Sequence, residues 1–224
     1  MWLSLLYDNE PMYIDINKYE AVIFDFDNTL YAPNHLGRRI VFSDIFNLLK
    51  ARKDRLARRA LKGKDFNNSQ AYYQAYFELV GEKDRDWYFN RYLPLMVKLL
   101  KKGFNARPKA QELINWLEEN NVRVGVYSDY PMVRERCEAV GLQLPNDRLW
   151  CSESFGALKP AARPFIEIAK KLGASPEKVL VVGDRPDTDL AGAKAAGMDC
   201  ILVKTKKNET EPGVVEWEEL IKGL

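Results

Sequence analysis

Ala21-Val22-Ile23-Phe24-Asp25-Phe26-Asp27-Asn28-Thr29-Leu30 joins an unbroken apolar run to two carboxylates set two positions apart. A short run that is apolar at every position, and not at alternate ones, reads as a strand of a parallel sheet with helices on both faces. If strand geometry persists past Phe24, Asp25 and Asp27 leave the sheet on the same side. Two buried negative charges in one loop are costly unless a cation or a proton joins them. A polar turn after a buried strand uses the same residue types, so this pair taken alone leaves its chemistry open.

Outward from this stretch, Val122–Tyr127, Val179–Val182 and Cys200–Val203 are further apolar runs of strand length, and Leu149–Cys151 is a weaker one. Helical spacing separates them, over Ala110–Asn120, Met132–Val140 and Arg163–Leu172, the last stopped by Gly173. Ser175 and Pro176 have the form of a cap followed by a first helical position. Alternating strands and helices imply right-handed crossovers and an α/β doubly wound parallel sheet, whose ligand site lies beyond the carboxyl ends of its strands. From about Ala32 to Asn105 the alternation stops. Ile40–Leu61, Ser69–Val80 and Asp86–Leu100 each read as a helix, with Gly63, Gly81 and Gly103 near their ends. The expected organisation is therefore a core domain from residues 1–31 and 104–224 with a helical cap domain, 32–103, inserted in it.

A chain of 224 residues is long enough for one core and a smaller accessory unit, and a net charge of +2 singles out no class of partner. Cys137, Cys151 and Cys200 are odd in number and widely spaced, which suits reduced thiols better than a disulfide frame and points to the cytoplasm. The apolar start, Trp2–Tyr7, lacks a basic leader and meets Asp8, Glu10 and Pro11 at once, so no targeting or membrane segment is expected.

The other strands also end on polar residues. Ser128 follows the second major strand, and Lys159 follows the weak strand, in Gly156-Ala157-Leu158-Lys159-Pro160. Asp184, Asp187 and Asp189 follow the third in Val182-Gly183-Asp184-Arg185-Pro186-Asp187-Thr188-Asp189. Taken singly, these are a turn serine, a solvated lysine and acids suited to a helix start. Following different strands of one sheet, they converge on one crevice as a hydroxyl, a cation and two sets of hard oxygen ligands.

Asp25-Phe26-Asp27-Asn28-Thr29-Leu30, Ser128, Lys159 and Gly183-Asp184 through Asp189 together resemble the four motifs of the haloacid dehalogenase-like hydrolases, and the resemblance covers nearly all of the chain after about Lys18. The helical insertion stands where members with a cap of the first type carry theirs. Two departures are Ala161-Ala162 after Lys159-Pro160 and Arg185-Pro186 after Asp184; neither removes a motif residue. The resemblance implies a Mg2+-dependent phosphatase in which Asp25 attacks the phosphorus of a small phosphorylated metabolite. Asp27 is implied to protonate the leaving alcohol and then activate the water that breaks the aspartyl phosphate. For this role the crowded anionic site is expected to raise its pKa. The implied metal ligands are Asp25, the main-chain carbonyl of Asp27, and Asp184, with Asp189 supporting Asp184 or Lys159. Asn28, Thr29, Ser128, Asp129 and Lys159 are the expected substrate contacts. An acid at Asp27 suits an alkoxide leaving group and not a halide, which favours phosphoryl transfer over dehalogenation. A phosphomutase shares all four motifs, and a catalytically silent binding protein keeps the fold, so both stand as alternatives.

The first helix of the insertion carries Arg38, Arg39, Lys50, Arg52, Lys53, Arg55, Arg58, Arg59, Lys62 and Lys64 against Asp44 and Asp54. A solvated face is the ordinary meaning of such a charge run, ahead of nucleic-acid recognition. The aromatic set Tyr72, Tyr73, Tyr76, Phe77, Trp87, Tyr88, Phe89 and Tyr92 is expected to form the core of the insertion, and the single histidine, His35, to be a loop residue.

Overall fold

The computed structural model describes residues 14–224 apart from 16, 33–35, 207 and 212, and apart from the side chains of 37, 41 and 46; Trp2–Tyr7 and His35 lie outside the described residues. Six parallel strands form one sheet: β1 (Ala21–Phe24), β2 (Arg123–Ser128), β3 (Leu149–Cys151), β4 (Val179–Gly183), β5 (Asp199–Val203) and β6 (Val214–Val215). Their order is β3-β2-β1-β4-β5-β6. Phe24 pairs in register with Val126 on one side and Val182 on the other, so the chain reverses its direction of winding at β1. That is the switch point at which a doubly wound sheet opens a crevice.

The strand pleat sends alternate residues to opposite cores. Val22, Phe24, Val124, Val126, Leu180 and Val182 pack under α6 (Ala110–Glu119) and α7 (Val133–Ala139) through Leu113, Ile114, Leu117 and Cys137. Ala21, Ile23, Val179 and Val181 pack on the other face under α9 (Ala162–Leu172) and α10 (Ala191–Ala195), through Phe165, Ile168, Ala169 and Ala193. The sheet thus has covered faces, as its uniformly apolar strands require. The expected second strand is displaced by one residue to end on Ser128. β6 was not foreseen: two residues cannot show a period, and it exists because the Lys204 amide donates to the Val215 carbonyl at the sheet edge.

The helical segment differs in detail from its sequence reading. The single helix expected over Ile40–Leu61 is broken into α1 (Leu36–Ser43), a 3-10 turn and α2 (Leu48–Leu61). Asp44 leaves the helical region (φ −141°) so that its carboxylate can accept from the Asn47 amide, the Trp87 indole and the Arg91 guanidinium. α3 (Ser69–Val80) starts at Asn68, whose side chain accepts from the Ala71 amide, and ends at Gly81. The helix expected over Asp86–Leu100 is composite: α4 (Arg85–Trp87), a π-helical turn (Tyr88–Tyr92) and α5 (Leu93–Gly103). Pro94 has no amide to give, and the widened turn lets Leu93 donate to the Tyr88 carbonyl one residue farther back. Tyr72, Tyr76, Phe77, Trp87, Tyr88 and Tyr92 pack as a third core, joined by Leu158 from the loop after β3.

Candidate active site

Asp25 begins where β1 ends, tied there by its amide to the Val182 carbonyl at 2.8 Å. Its Oδ1 accepts from Lys159 Nζ at 2.7 Å and its Oδ2 from the Thr29 hydroxyl at 3.1 Å. Lys159 Nζ also donates to Asp189 Oδ1 at 2.8 Å, so one fully enclosed ammonium links the loops after β1, β3 and β4. Burial alone would lower the lysine, but Asp189 and Asp25 outweigh it and hold its pKa well above the ordinary value. Burial drives Asp25 upward, and Lys159 offsets only part of this. Thr29 was expected among the substrate contacts. Its hydroxyl faces back into the loop with no exposed surface and seats the Asp25 carboxylate instead.

Asp27 has a different environment from the one expected. Arg136, buried on α7, donates from Nη2 to both of its carboxylate oxygens and from Nη1 to Ser128 Oγ at 2.8 Å. Tyr31 adds a hydroxyl donor at 2.7 Å and Ser128 another at 3.2 Å. Burial would raise Asp27, yet the Arg136 charge and these hydrogen bonds prevail and leave the carboxyl below its usual range. The expected rise is therefore corrected: the crowding is cationic, not anionic. Ser128, expected on a phosphate oxygen, spends its proton on Asp27 here. Arg136 was missed, although a signal existed: it falls on the same helical stripe as Val133, Cys137 and Val140, where a charged residue must bury.

Asp184 follows β4 and is nearly enclosed. Burial first, then Asp189, lift its pKa to about 7, and its Oδ2 is a buried oxygen without a hydrogen-bond partner. Asn208 fixes its main chain, donating to the carbonyls of Asp184 at 2.8 Å and Val203 at 2.9 Å. Carboxylate oxygens of Asp25, Asp184 and Asp189 all lie within 4.8 Å of one another. An orphaned oxygen beside two further carboxylates suits a hard divalent cation. Asp189 is the least available of the three: Lys159 holds its Oδ1, and the amides of Asp184 and Arg185 donate to its Oδ2 at 3.3 and 3.1 Å. The Asp27 carboxylate does not belong to this group. Asn28, in a left-handed conformation at φ 66°, turns the chain so that Arg107 can donate to its carbonyl and to that of Thr29.

The helical segment closes over these loops. Gly63 donates its amide to the Lys159 carbonyl, Leu158 to Lys64, and Phe66 to Gly156, while Arg163 grips both Asp65 oxygens at 2.7 Å. From α2, Arg58 stacks 3.8 Å from the Tyr130 ring centre, donates to the Asp129 carbonyl at 3.0 Å and pairs with Glu153 and Asp54, all buried. Asp129 accepts from Ser152 Oγ through its own carboxylate, which places it beside the site and already engaged. Lys62 pairs with Asp187 at the rim. The expected residues 25, 27, 28, 29, 128, 129, 159, 184 and 189 are all gathered at this crevice; Arg58, Arg107, Arg136 and Asn208 are the additions.

A family model described as haloacid dehalogenase-like hydrolase matches residues 19–197. The chain is 26% identical over 214 residues to a glyceraldehyde 3-phosphate phosphatase of Methanothermobacter thermautotrophicus, an alignment spanning 88% of this chain and 91% of that protein. It is 44% identical over 121 residues to the protein of the same name from Methanopyrus kandleri, spanning 54% of this chain and 45% of the relative. Among solved structures, β-phosphoglucomutase from Clostridium difficile superposes with a TM-score of 0.63 at 17% identity, covering 91% of this chain and 93% of that one, a likeness of fold. With the four strand-end loops assembled as described, the chain belongs to the haloacid dehalogenase-like hydrolases and is an enzyme of that family.

Proposed function

We propose that the chain is a Mg2+-dependent phosphatase that hydrolyses a small phosphate monoester through an aspartyl phosphate on Asp25. The observation that carries this reading is the enclosed lysine held between Asp25 and Asp189 next to the unpartnered Asp184 oxygen. Such a site can take a phosphoryl group only by sharing its lysine and adding a cation, and phosphoryl transfer needs charge neutralisation above all. Asp25 and Asp184, with the main-chain carbonyl of Asp27, would hold Mg2+, which when bound supplies positive charge against the phosphoryl oxygens.

The chain's own groups do the rest. An Asp25 oxygen attacks phosphorus in line, and the P–O bond to the alcohol breaks. Lys159 keeps the attacking carboxylate aligned and neutralises charge on the transferring group. Water then attacks the phosphorus of the acyl phosphate, Asp27 takes its proton, and Asp25 is released with inorganic phosphate. Ionised by Arg136, Asp27 is ready as that base, and the proton it takes from water in one turnover is the one it gives to the leaving alcohol in the next. Residues 32–103 act as the cap domain over a core of 1–31 and 104–224, and the enclosure they create suits a small metabolite of the kind named for the phosphatase relatives. The three cysteines carry no disulfide, consistent with a cytoplasmic setting.

A phosphate-release screen over sugar phosphates, glyceraldehyde 3-phosphate, phosphoglycolate and pyrophosphate, with and without Mg2+, tests the proposal. Turnover is expected with Mg2+ and absent from Asp25→Asn. Release that persists in Asp25→Asn, or phosphate returned to a sugar and not to water, contradicts it.

A further inference from the structure

One face of the helical segment has no role in the crevice. Among the described residues, seven large apolar side chains are exposed, and five of them, Phe42, Ile45, Leu48, Leu49 and Leu56, fall on α1, α2 and the turn between them. Phe42 is 79% exposed and Leu49 72%, so they stand out from the surface and do not line a groove. Leu49, Arg52, Leu56 and Arg59 follow one another at spacings of three and four, which puts them on one stripe of α2. Arg38, Arg52, Arg55 and Arg59 are exposed, and none has an ion pair or hydrogen bond among the described residues. The two acids of residues 36–64, Asp44 and Asp54, are both buried and committed, Asp44 to Arg91 and Asp54 to Arg58, Tyr76 and Tyr92. Among the described side chains of this segment, no exposed one is acidic.

We infer that the α1–α2 face docks on an anionic lipid bilayer. A second copy of the chain would bring arginines against arginines across any two-fold contact, which like charge opposes. An acidic protein would also answer the charge of a leucine stripe interrupted by arginines, and the peptide arm of the test below distinguishes it. The boundary between headgroups and acyl chains accommodates that mixture: leucine and phenylalanine enter, and arginine stems lie along the apolar layer with their guanidinium groups among the phosphates. No helix among the described residues is long and apolar enough to cross a membrane, so the association is peripheral.

Co-sedimentation of the full chain with vesicles tests this. The protein is expected to pellet with vesicles of equal parts phosphatidylglycerol and phosphatidylcholine, to stay in solution with phosphatidylcholine alone, and to be released by salt. Leu49→Asp with Leu56→Asp should weaken binding by about a hundredfold, two leucines' worth of lost apolar burial. Arg52→Gln, Arg55→Gln and Arg59→Gln together should do the same, at about 1 kcal/mol per cation, and they keep the apolar residues intact if the aspartate variant folds poorly. The inference is overturned by equal pelleting with neutral vesicles, by none with either, or by variants that bind as the parent does. It is likewise overturned if light scattering finds a dimer that Leu49→Asp dissociates, or if an acidic amphipathic peptide binds and the vesicles do not.

Discussion

Arg136, fully buried, and Asp27, whose side chain keeps 29% of its surface exposed, form an ion pair in which the guanidinium depends on the carboxylate for compensation of its charge. Removing Asp27 would strand a buried guanidinium, whereas removing Arg136 leaves a carboxylate that solvent can partly reach, so the second change costs less. Arg136→Met is expected to lower unfolding stability by about 1–3 kcal/mol, measured by chemical denaturation, and adding Asp27→Asn should recover part of the loss. Asp184 makes the second expectation at this scale. Its carboxyl is raised to about 7, so the folded protein holds a proton there that the unfolded chain gives up near 4. The resulting stability is complete below about pH 4 and is lost as pH climbs through about 7, so metal-free protein should melt lower at about pH 8 than at about pH 5. Asp184→Asn should reduce that difference in a thermal melt and leave the part of the same sign that Asp25 contributes. Mg2+ should raise the parent's melting temperature at the higher pH and leave it unchanged at the lower, where a protonated acid is no ligand.

The functional residues that were legible share one property: each lies at or beyond the carboxyl end of a strand, Ser128 as the last residue of β2 and Lys159 past the short helix Ser152–Phe155 that follows β3. Asp25, Ser128, Lys159 and Asp184 could be found because an apolar run pointed at them. Arg136 was marked only as a charge on an apolar stripe, which names no role, and its partner lies 109 residues earlier; Asn208 sits in a loop whose pattern marks nothing. Periodicity also says nothing about helix width. Two π-helical turns, Tyr88–Tyr92 and Pro186–Leu190, occupy ground that reads as ordinary helix. The second has a direct consequence for the site, because it curls Asp189 back over Gly183. A Cβ on Gly183 would stand 2.4 Å from the Asp189 Cβ and 2.6 Å from its Oδ2. Gly183→Ala should therefore displace Asp189 from Lys159 and reduce kcat by about a hundredfold or more, with circular dichroism showing the fold retained.

For the molecule as a whole, the doubly wound sheet was legible because uniformly apolar strands admit few other architectures, and its site followed from the switch point. The fit between the helical segment and the core was not legible. Leu158 contributes to the aromatic core of the helices although it is the neighbour of Lys159. Gly156, at φ 67°, lies so near the Asn68 main chain that an added Cβ would overlap it. These are contacts between surfaces far apart in sequence, and no local pattern encodes them.

The main chain of residues 63–66 is laced to that of 156–159 by three hydrogen bonds. Any displacement of residues 63–66 would therefore have to break these bonds or carry the loop of Lys159 along with it. An opening at this seam and the loss of the ammonium from Asp25 would be one event, not two.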